Sequence, residues 1–378
     1  MGIKIVFCIA GTFNSGGMER VLANKANYLV TKGYEVCIVT TDQKARLPHF
    51  AMDSRIVHYD LDINYLDLVD KGLIGKTIGY FRKQKTHFDR LNTLLCTLKA
   101  DIVISMFDHE ANLVWKIKDG SKKILEIHFS RFKRLQYGRK GLWRLADRWR
   151  NRRDLQIAKR YDRFVVLTQE DKAYWENLSH IQVIPNANSF RPDEISSVGE
   201  KRVIAVGRLS YQKGFDDLLD IWASVLPYFP DWTLDIFGEG ELKEMLQSRI
   251  DRLGIGENTH LCMPVSHIQE EYGRSAILVM TSRYEGLPMA LLEAQACGLP
   301  LLAYACKCGP RDIINDGENG FLIGEGDKTE FARKIMLLMG DISMRRAMGK
   351  QSRLLSQNFS EERIMSEWEN LFKNIIKS

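Results

Sequence analysis

Two carboxylates eight positions apart, Glu285 and Glu293, carry the most chemical information in this chain. They bracket the run Glu285-Gly286-Leu287-Pro288-Met289-Ala290-Leu291-Leu292-Glu293. In a continuous helix that spacing is a little over two turns, so both would face one side about 12 Å apart. Pro288 suits a first helical turn, where its missing N–H costs nothing. Met289 to Cys297 therefore reads as helix, with Glu285 in the entering loop and Glu293 deeper along the same face. The amides of Gly286 and Leu287 then point out of the helix N-terminus beside Glu285 and form an anion cradle. Carboxylates bind hydroxyls and amides bind phosphate, so a nucleotide sugar is the kind of ligand that uses both.

Two further strand-to-helix turns add phosphate-binding chemistry. Val203–Val206 leads into Gly207-Arg208-Leu209-Ser210-Tyr211-Gln212-Lys213-Gly214, which sets Arg208 and Lys213 at the carboxyl end of a strand. Two fixed cations there can hold a diphosphate and stabilise it as it departs, with no metal needed. Near the N-terminus, Ile3–Ile9 runs into Gly11-Thr12-Phe13-Asn14-Ser15-Gly16-Gly17, a turn that lets backbone approach phosphate. Gly17 stands where a P-loop needs lysine, and G-x-G-x-x-G is absent, so neither an NTPase nor a dinucleotide-dependent dehydrogenase is expected. Asp60-Leu61-Asp62 has the Asp-x-Asp form of metal-dependent transferases. It follows the third strand of the first half, away from these loops, and reads as a surface turn. Seven cysteines without regular spacing fit a reducing compartment, and Cys306-Lys307-Cys308 alone is not a zinc site. No metal or other cofactor is expected.

The elements that must position these residues alternate strand and helix along both halves. Lys4–Ile9, Glu35–Thr40, Asp101–Ser105, Arg202–Val206 and Ile277–Met280 are among the short β-rich runs, and amphipathic helices separate most of them. Met18 to Lys32, for example, carries Leu22, Ala26, Leu29 and Val30 on one stripe and stops at Gly33. Continuous apolar strands joined by helices indicate parallel sheets covered on both faces. At 378 residues the chain is long enough for two such domains, taking about 150 residues each as a prior. The polar stretch Ala187 to Lys201 is the expected link. The division is a first Rossmann-like domain over 1–188, a second over 189–360, and a helix over 361–378 packing back on the first. Open parallel sheets bind at the carboxyl ends of their strands, so the two doubly wound domains would face each other across a ligand cleft.

With these pieces assembled, the chain resembles a family-4 retaining glycosyltransferase of the GT-B fold. The resemblance lies in Asn14-Ser15-Gly16-Gly17-Met18-Glu19-Arg20, Ile184-Pro185-Asn186, Gly207-Arg208-Leu209 with Lys213-Gly214, Phe237-Gly238-Glu239-Gly240-Glu241-Leu242, the Glu285 and Glu293 pair, and Asp316-Gly317-Glu318-Asn319-Gly320, in family order. It implies that Arg208 and Lys213 bind the donor diphosphate and that Glu293 binds the ribose hydroxyls. It implies also that Glu285 and the amides of Gly286 and Leu287 meet the donor sugar, while Gly16 and Gly17 close over the phosphates. His128, at the end of Lys123–Ile127, matches the family histidine beside the sugar, although Phe129-Ser130 follows where the family commonly has Asp or another polar residue. Glu285, His128, Arg208 and Lys213 are thus the expected catalytic set. Retention of configuration rests on the resemblance alone. The leading reading is a transferase that uses a UDP-hexose or UDP-N-acetylhexosamine to build a surface polysaccharide or lipid-linked oligosaccharide. A GDP-sugar-dependent mannosyl- or fucosyltransferase is the rival, since no residue fixes the base. A non-catalytic sensor of sugar nucleotides and a membrane adaptor are the readings from other classes.

Charge is unevenly spread. Residues 1–190 hold 32 basic and 20 acidic side chains, whereas 191–378 hold 22 and 28. The excess concentrates between Arg131 and Arg163, with 13 basic and 3 acidic residues. Such a block implies an anionic partner. Trp143, Ala146, Trp149 and Arg150 fall near one helical stripe and Arg144, Arg148 and Arg152 on the next, with Arg131-Phe132-Lys133-Arg134-Leu135 upstream. A basic helix edged with tryptophan suits an anionic membrane surface or a lipid-linked acceptor. No nucleic-acid-binding motif accompanies it, so nucleic acid is not expected. The region resembles enzymes that extend polyprenyl-pyrophosphate-linked glycans. That resemblance gives Arg144, Arg148, Arg152 and Arg153 as the acceptor or membrane contact. The N-terminal apolar run is too short to span a bilayer and lacks a cleavage pattern. The expected location is cytoplasmic, at the inner face of the membrane.

Overall fold

A computed structural model describes residues 2–70, 72–133, 141–175 and 178–377. Two all-parallel sheets organise it. The first holds seven strands: β1 (Lys4–Cys8), β2 (Glu35–Thr40), β3 (Val57–Asp60), β4 (Ile102–Ser105), β5 (Lys122–Glu126), β6 (Arg163–Val166) and β7 (Ile181–Val183), in the order β3-β2-β1-β4-β5-β6-β7. The second holds β8 (Arg202–Val206), β9 (Thr233–Phe237), β10 (Thr259–Cys262), β11 (Ile277–Met280), β12 (Leu301–Tyr304) and β13 (Gly320–Ile323), ordered β10-β9-β8-β11-β12-β13. Strand order reverses between β1 and β4 in one sheet and between β8 and β11 in the other. Those switch points are where an open parallel sheet leaves a crevice for ligand.

Helices cover both faces: α1 (Gly17–Thr31), α2 (Leu73–Leu98), α3 (Leu142–Ala158), α4 (Gln169–Tyr174), α5 (Phe215–Val225), α6 (Lys243–Leu253), α7 (Ile268–Gly273), α8 (Met289–Ala296), α9 (Pro310–Ile313), α10 (Lys328–Gly340), α11 (Ile342–Leu355) and α12 (Glu361–Lys377). The apolar stripe of α1 is buried against Ile5, Phe7 and Ile38 of the first sheet. In α5, Leu218, Leu219, Trp222 and Val225 do the same against the second. The longest helix, α2, carries alternating polar and apolar stretches and has no counterpart in the sequence reading.

The chain crosses between the lobes twice. It passes once between β7 and β8, and again after α11, where α12 returns to the first sheet. There Ile364, Met365, Trp368, Leu371, Phe372 and Ile375 complete the core formed by Ile5, Phe7 and Ile104. Burying Trp368 alone is worth about 2–3 kcal/mol of apolar transfer. The two crossings are tied to each other: the Asn188 amide donates to Phe359 O at 2.8 Å, and Asn188 Nδ2 donates to Ser356 O at 3.2 Å.

Candidate active site

The loop after β8 and the loop after β11 lie at the switch point of the second sheet and are laced together. Gln212 Nε2 donates to Tyr284 O at 2.9 Å, the Arg283 amide donates to Gln212 O at 2.8 Å, and Thr281 Oγ1 donates to Gly214 O at 2.9 Å. Gly214 sits at φ 62°, and a Cβ there would lie 2.2 Å from Thr281 O, so only glycine lets these loops approach so closely. The lacing brings Lys213 Nζ to 2.7 Å from Glu285 Oε1, both largely buried. Arg208 is exposed at the end of β8 and, among the described residues, has no ion-pair partner. Cation, carboxylate and unengaged arginine thus stand together at one sheet edge.

Helix α8 begins at Met289 with Pro288 as its N-cap residue, so the proline lies just outside the first turn rather than in it. Glu285 is held instead by a bridge to the next loop, its amide donating to Lys307 O at 3.3 Å. Among the described residues, the amides of Gly286 and Leu287 donate to no partner. Glu293 is buried within α8 and accepts from Tyr272 Oη at 3.0 Å. Burial pushes its carboxyl up, and the Ser189 hydroxyl and Arg20 hold that rise back.

The first lobe closes over this edge at two points. A Cβ on Gly286 would lie 2.4 Å from the backbone oxygen of His128, so the two loops are in direct contact. A Cβ on Gly17 would lie 3.7 Å from Met289 Cγ, which places the Gly16-Gly17 turn above the start of α8. Flanking contacts hold the lobes together: the Cys308 amide donates to Glu170 Oε2 at 3.0 Å, and Gln169 N donates to Asp312 Oδ1 at 3.2 Å.

His128 follows β5 with its ring nearly buried and Nε2 3.2 Å from Glu126 Oε1. Neither ring nitrogen makes a well-formed hydrogen bond among the described residues. Glu126 accepts from Lys25 Nζ at 2.5 Å, and Lys25 lies 3.7 Å from the centre of the Trp368 ring. Burial pushes the Glu126 carboxyl up, but Lys25 and His128 overcome it and hold the carboxyl down at about 2. Burial in turn pushes Lys25 down.

Sequence reasoning passed over several groups at this site. Arg283 pairs with Asp216 at 2.8 Å and donates to Tyr211 O, bracing the turn that carries Lys213. Its signal was available, a third cation two residues before Glu285. Glu126 and Lys25 also announce themselves, as charges inside an apolar strand and on the apolar stripe of α1. Tyr272 had no such signal. At the end of β4, buried Glu110 accepts from Ser105 Oγ at 2.8 Å and from the Asp108 amide at 3.0 Å. Burial, and then Asp108, push its carboxyl up to about 8.

The upstream end of the basic segment reaches this cluster, with Lys307 Nζ 5.8 Å from the Phe132 ring centre. On α3, by contrast, Arg144, Arg148 and Arg152 face solvent, and Arg153 is partly buried. Trp149 is also exposed, with the Arg153 guanidinium 5.7 Å from its ring centre. Arg134 and Leu135, and the side chain of Trp143, lie outside the described residues. Asp60 and Asp62 form a turn: Asp60 accepts from Thr40 Oγ1 and from the Lys44 amide, and Arg90 donates to Asp62 O. Among the described residues no group of three His, Cys, Asp or Glu is placed to hold a metal ion.

Two parallel-sheet lobes, with Lys213, Glu285 and Arg208 at the switch point of the second, have the architecture of the GT-B class of glycosyltransferases. Residues 15–187 match Glycosyltransferase Family 4, and residues 187–355 match Glycosyl transferases group 1. The chain belongs to the family-4 glycosyltransferases. It is 30% identical over 373 residues to an uncharacterized glycosyltransferase of Haemophilus influenzae, covering 97% of this chain and 99% of that one. It is 27% identical over 380 residues, 99% of each chain, to the Campylobacter jejuni GalNAc-alpha-(1->4)-GalNAc-alpha-(1->3)-diNAcBac-PP-undecaprenol alpha-1,4-N-acetyl-D-galactosaminyltransferase. Its fold is similar to that of the pneumococcal O-GlcNAc transferase GtfA, solved in complex with UDP and GlcNAc, with a TM-score of 0.77 over 100% of both chains at 16% identity.

Proposed function

We propose that this glycosyltransferase moves a hexose or N-acetylhexosamine from a UDP-sugar, with retention and without a metal, to a glycan carried on polyprenyl pyrophosphate. The product would be a surface polysaccharide or lipid-linked oligosaccharide, made at the cytoplasmic face of the membrane. The observation that carries this reading is the 2.7 Å Lys213–Glu285 pair beside Arg208 and the Gly286 and Leu287 amides, which have no ion-pair or hydrogen-bond partner among the described residues. In the donor complex, Arg208 and Lys213 bind the diphosphate, Gly16 and Gly17 cover it, and Glu293 binds the ribose. Glu285 and the two amides hold the sugar, with His128 across from them. Displacing Lys213 from Glu285 would leave the carboxylate to accept sugar hydroxyls while the ammonium meets phosphate. In transfer, the bond between the anomeric carbon and the diphosphate oxygen breaks and an acceptor oxygen bonds to the same face. The acceptor proton goes to the departing phosphate, whose charge the two cations stabilise. The names of the Campylobacter relative, which acts on a PP-undecaprenol glycan, and of the UDP-bound pneumococcal structure support the acceptor and the base.

A thermal-shift screen over UDP, GDP and their sugars tests the base, and turnover by wild type, Arg208→Ala and Glu285→Ala tests the site. Stabilisation by UDP and loss of turnover in both variants are expected. A larger shift with GDP would move the donor to a mannosyl or fucosyl nucleotide. Absence of turnover with every sugar nucleotide would replace an enzyme by a sensor.

A further inference from the structure

Among the described residues of the first lobe, five of the nine exposed large apolar side chains lie on two helices, α2 and α3; Leu47, Val57, Leu66 and Val69 are the others. Ile74, Ile78 and Phe81 follow one another at i, i+4 and i+7 on α2, exposed by 77%, 50% and 68%. Lys85 continues the same stripe. On α3, Leu145 and Trp149 at i and i+4 are exposed by 59% and 63%, with Arg148 and Arg152 beside them. The α2 stripe runs into a cleft of about 430 Å³ whose walls include Phe81, Phe88 and Leu113 together with Lys85 and Lys116, and α3 adds Arg153 to them. Arg153 links the sides, lining the cleft while lying over the Trp149 ring.

From this arrangement we infer that α2 and α3 form a docking face for an anionic bilayer, with the cleft between them seating one lipid phosphate. The inference deepens the proposed function, resting on its lipid-carried acceptor, and adds α2 and the cleft to the arginines of α3. Apolar side chains set among cations suit the boundary between headgroups and acyl chains, where each part is satisfied at its own depth. A nucleic acid would match the cations but leave Ile74, Ile78 and Leu145 unused. A second copy docked face to face would set arginines against arginines. No helix among the described residues is long and apolar enough to cross a membrane, so these helices would lie on the surface. The inner wall of the cleft, Asn112 and Leu113, belongs to the loop after β4. Gln84 on α2 ties the same loop down by donating to His109 O at 3.2 Å. A headgroup in the cleft would therefore sit at the sheet edge that also carries His128.

The test is co-sedimentation of the full chain with phosphatidylglycerol-containing vesicles and with pure phosphatidylcholine vesicles, at low and high salt. Binding that needs phosphatidylglycerol and weakens with salt is expected. Ile74→Ser with Ile78→Ser should lower partitioning about tenfold while leaving the UDP-induced thermal shift unchanged. Lys85→Gln with Lys116→Gln should lower it by a similar factor on anionic vesicles alone. Equal binding by wild type and both variants would overturn the inference. So would a dimer in light scattering that the serine variant dissociates without change in vesicle binding. If vesicle binding behaves as expected but no sugar nucleotide is turned over, the docking face stands and the transfer reading falls.

Discussion

Lys25 Nζ lies 2.5 Å from Glu126 Oε1 in the interior of the first lobe, and together they back His128 from behind. A buried pair of this kind is strongly destabilising to break from one side, because the survivor is left as an uncompensated charge. Lys25→Met should therefore cost about 3–5 kcal/mol in urea unfolding. Lys25→Met combined with Glu126→Gln should cost much less than the sum of the two single changes. Additive losses would mean that the pair is not coupled.

Gly286 packs against the His128 carbonyl, so any side chain there must push the lobes apart. Gly286→Ala should leave the melting temperature of the chain nearly unchanged yet reduce kcat/KM about a hundredfold, since a displacement of order 1 Å at the reacting centre has that effect. X-ray scattering with UDP bound would show a more open form. Wild-type activity in this variant would mean that the contact is not part of the working conformation.

Arg208 and Lys213 hold the diphosphate in the proposed complex, and their geometry separates them. Arg208→Lys should retain little activity, because an ammonium cannot reproduce the planar two-pronged contact of a guanidinium. Lys213→Ala should lower kcat about 10²–10³-fold, the size expected for losing one stabilising cation at a leaving group. Steady-state kinetics on both variants check this, and a change confined to KM would assign Lys213 to ground-state binding alone.

Glu110 provides a pH signature. Burial raises its carboxyl from 4.5 to about 8, so above pH 4.5 the unfolded chain releases a proton that the folded chain still holds. Stability from this group is complete below pH 4.5 and is lost as pH rises toward 8. Glu110→Gln keeps the hydrogen bonds from Ser105 and Asp108 and removes the titration. The variant should gain on the wild type as pH rises, by up to about 3 kcal/mol near neutrality. Parallel melting curves in both proteins would reveal no such divergence if the acid is ionised in the fold.

Much of this was legible in the sequence for identifiable reasons. Runs such as Val203–Val206 and Ile277–Met280 are buried on both faces, so their composition leaves little alternative to a parallel strand. The loops with Arg208, Lys213 and Glu285 lie at strand ends, where polar residues interrupt apolar runs. What stayed hidden depends on contacts between distant segments. Nothing local says that Tyr272 reaches Glu293 or that Lys25 reaches Glu126 across 101 positions. Pro288 stands one position before the helical turn that its type favours, in a loop where Glu285 is tied to Lys307 of a later segment. The exposure of Trp149 and the stripe on α2 escaped for a related reason, since periodicity tells which residues share a face but not what covers it.

The return of α12 to the first sheet means that the lobes are joined by two chain passages, knotted side by side at Asn188, Ser356 and Phe359. A single tether would permit twisting and sliding as well as opening. Two adjacent tethers act like a door hung on paired pins and leave one easy rotation, about the line through them. Any opening about that line would part Gly17 from Met289 and Gly286 from His128 in the same movement.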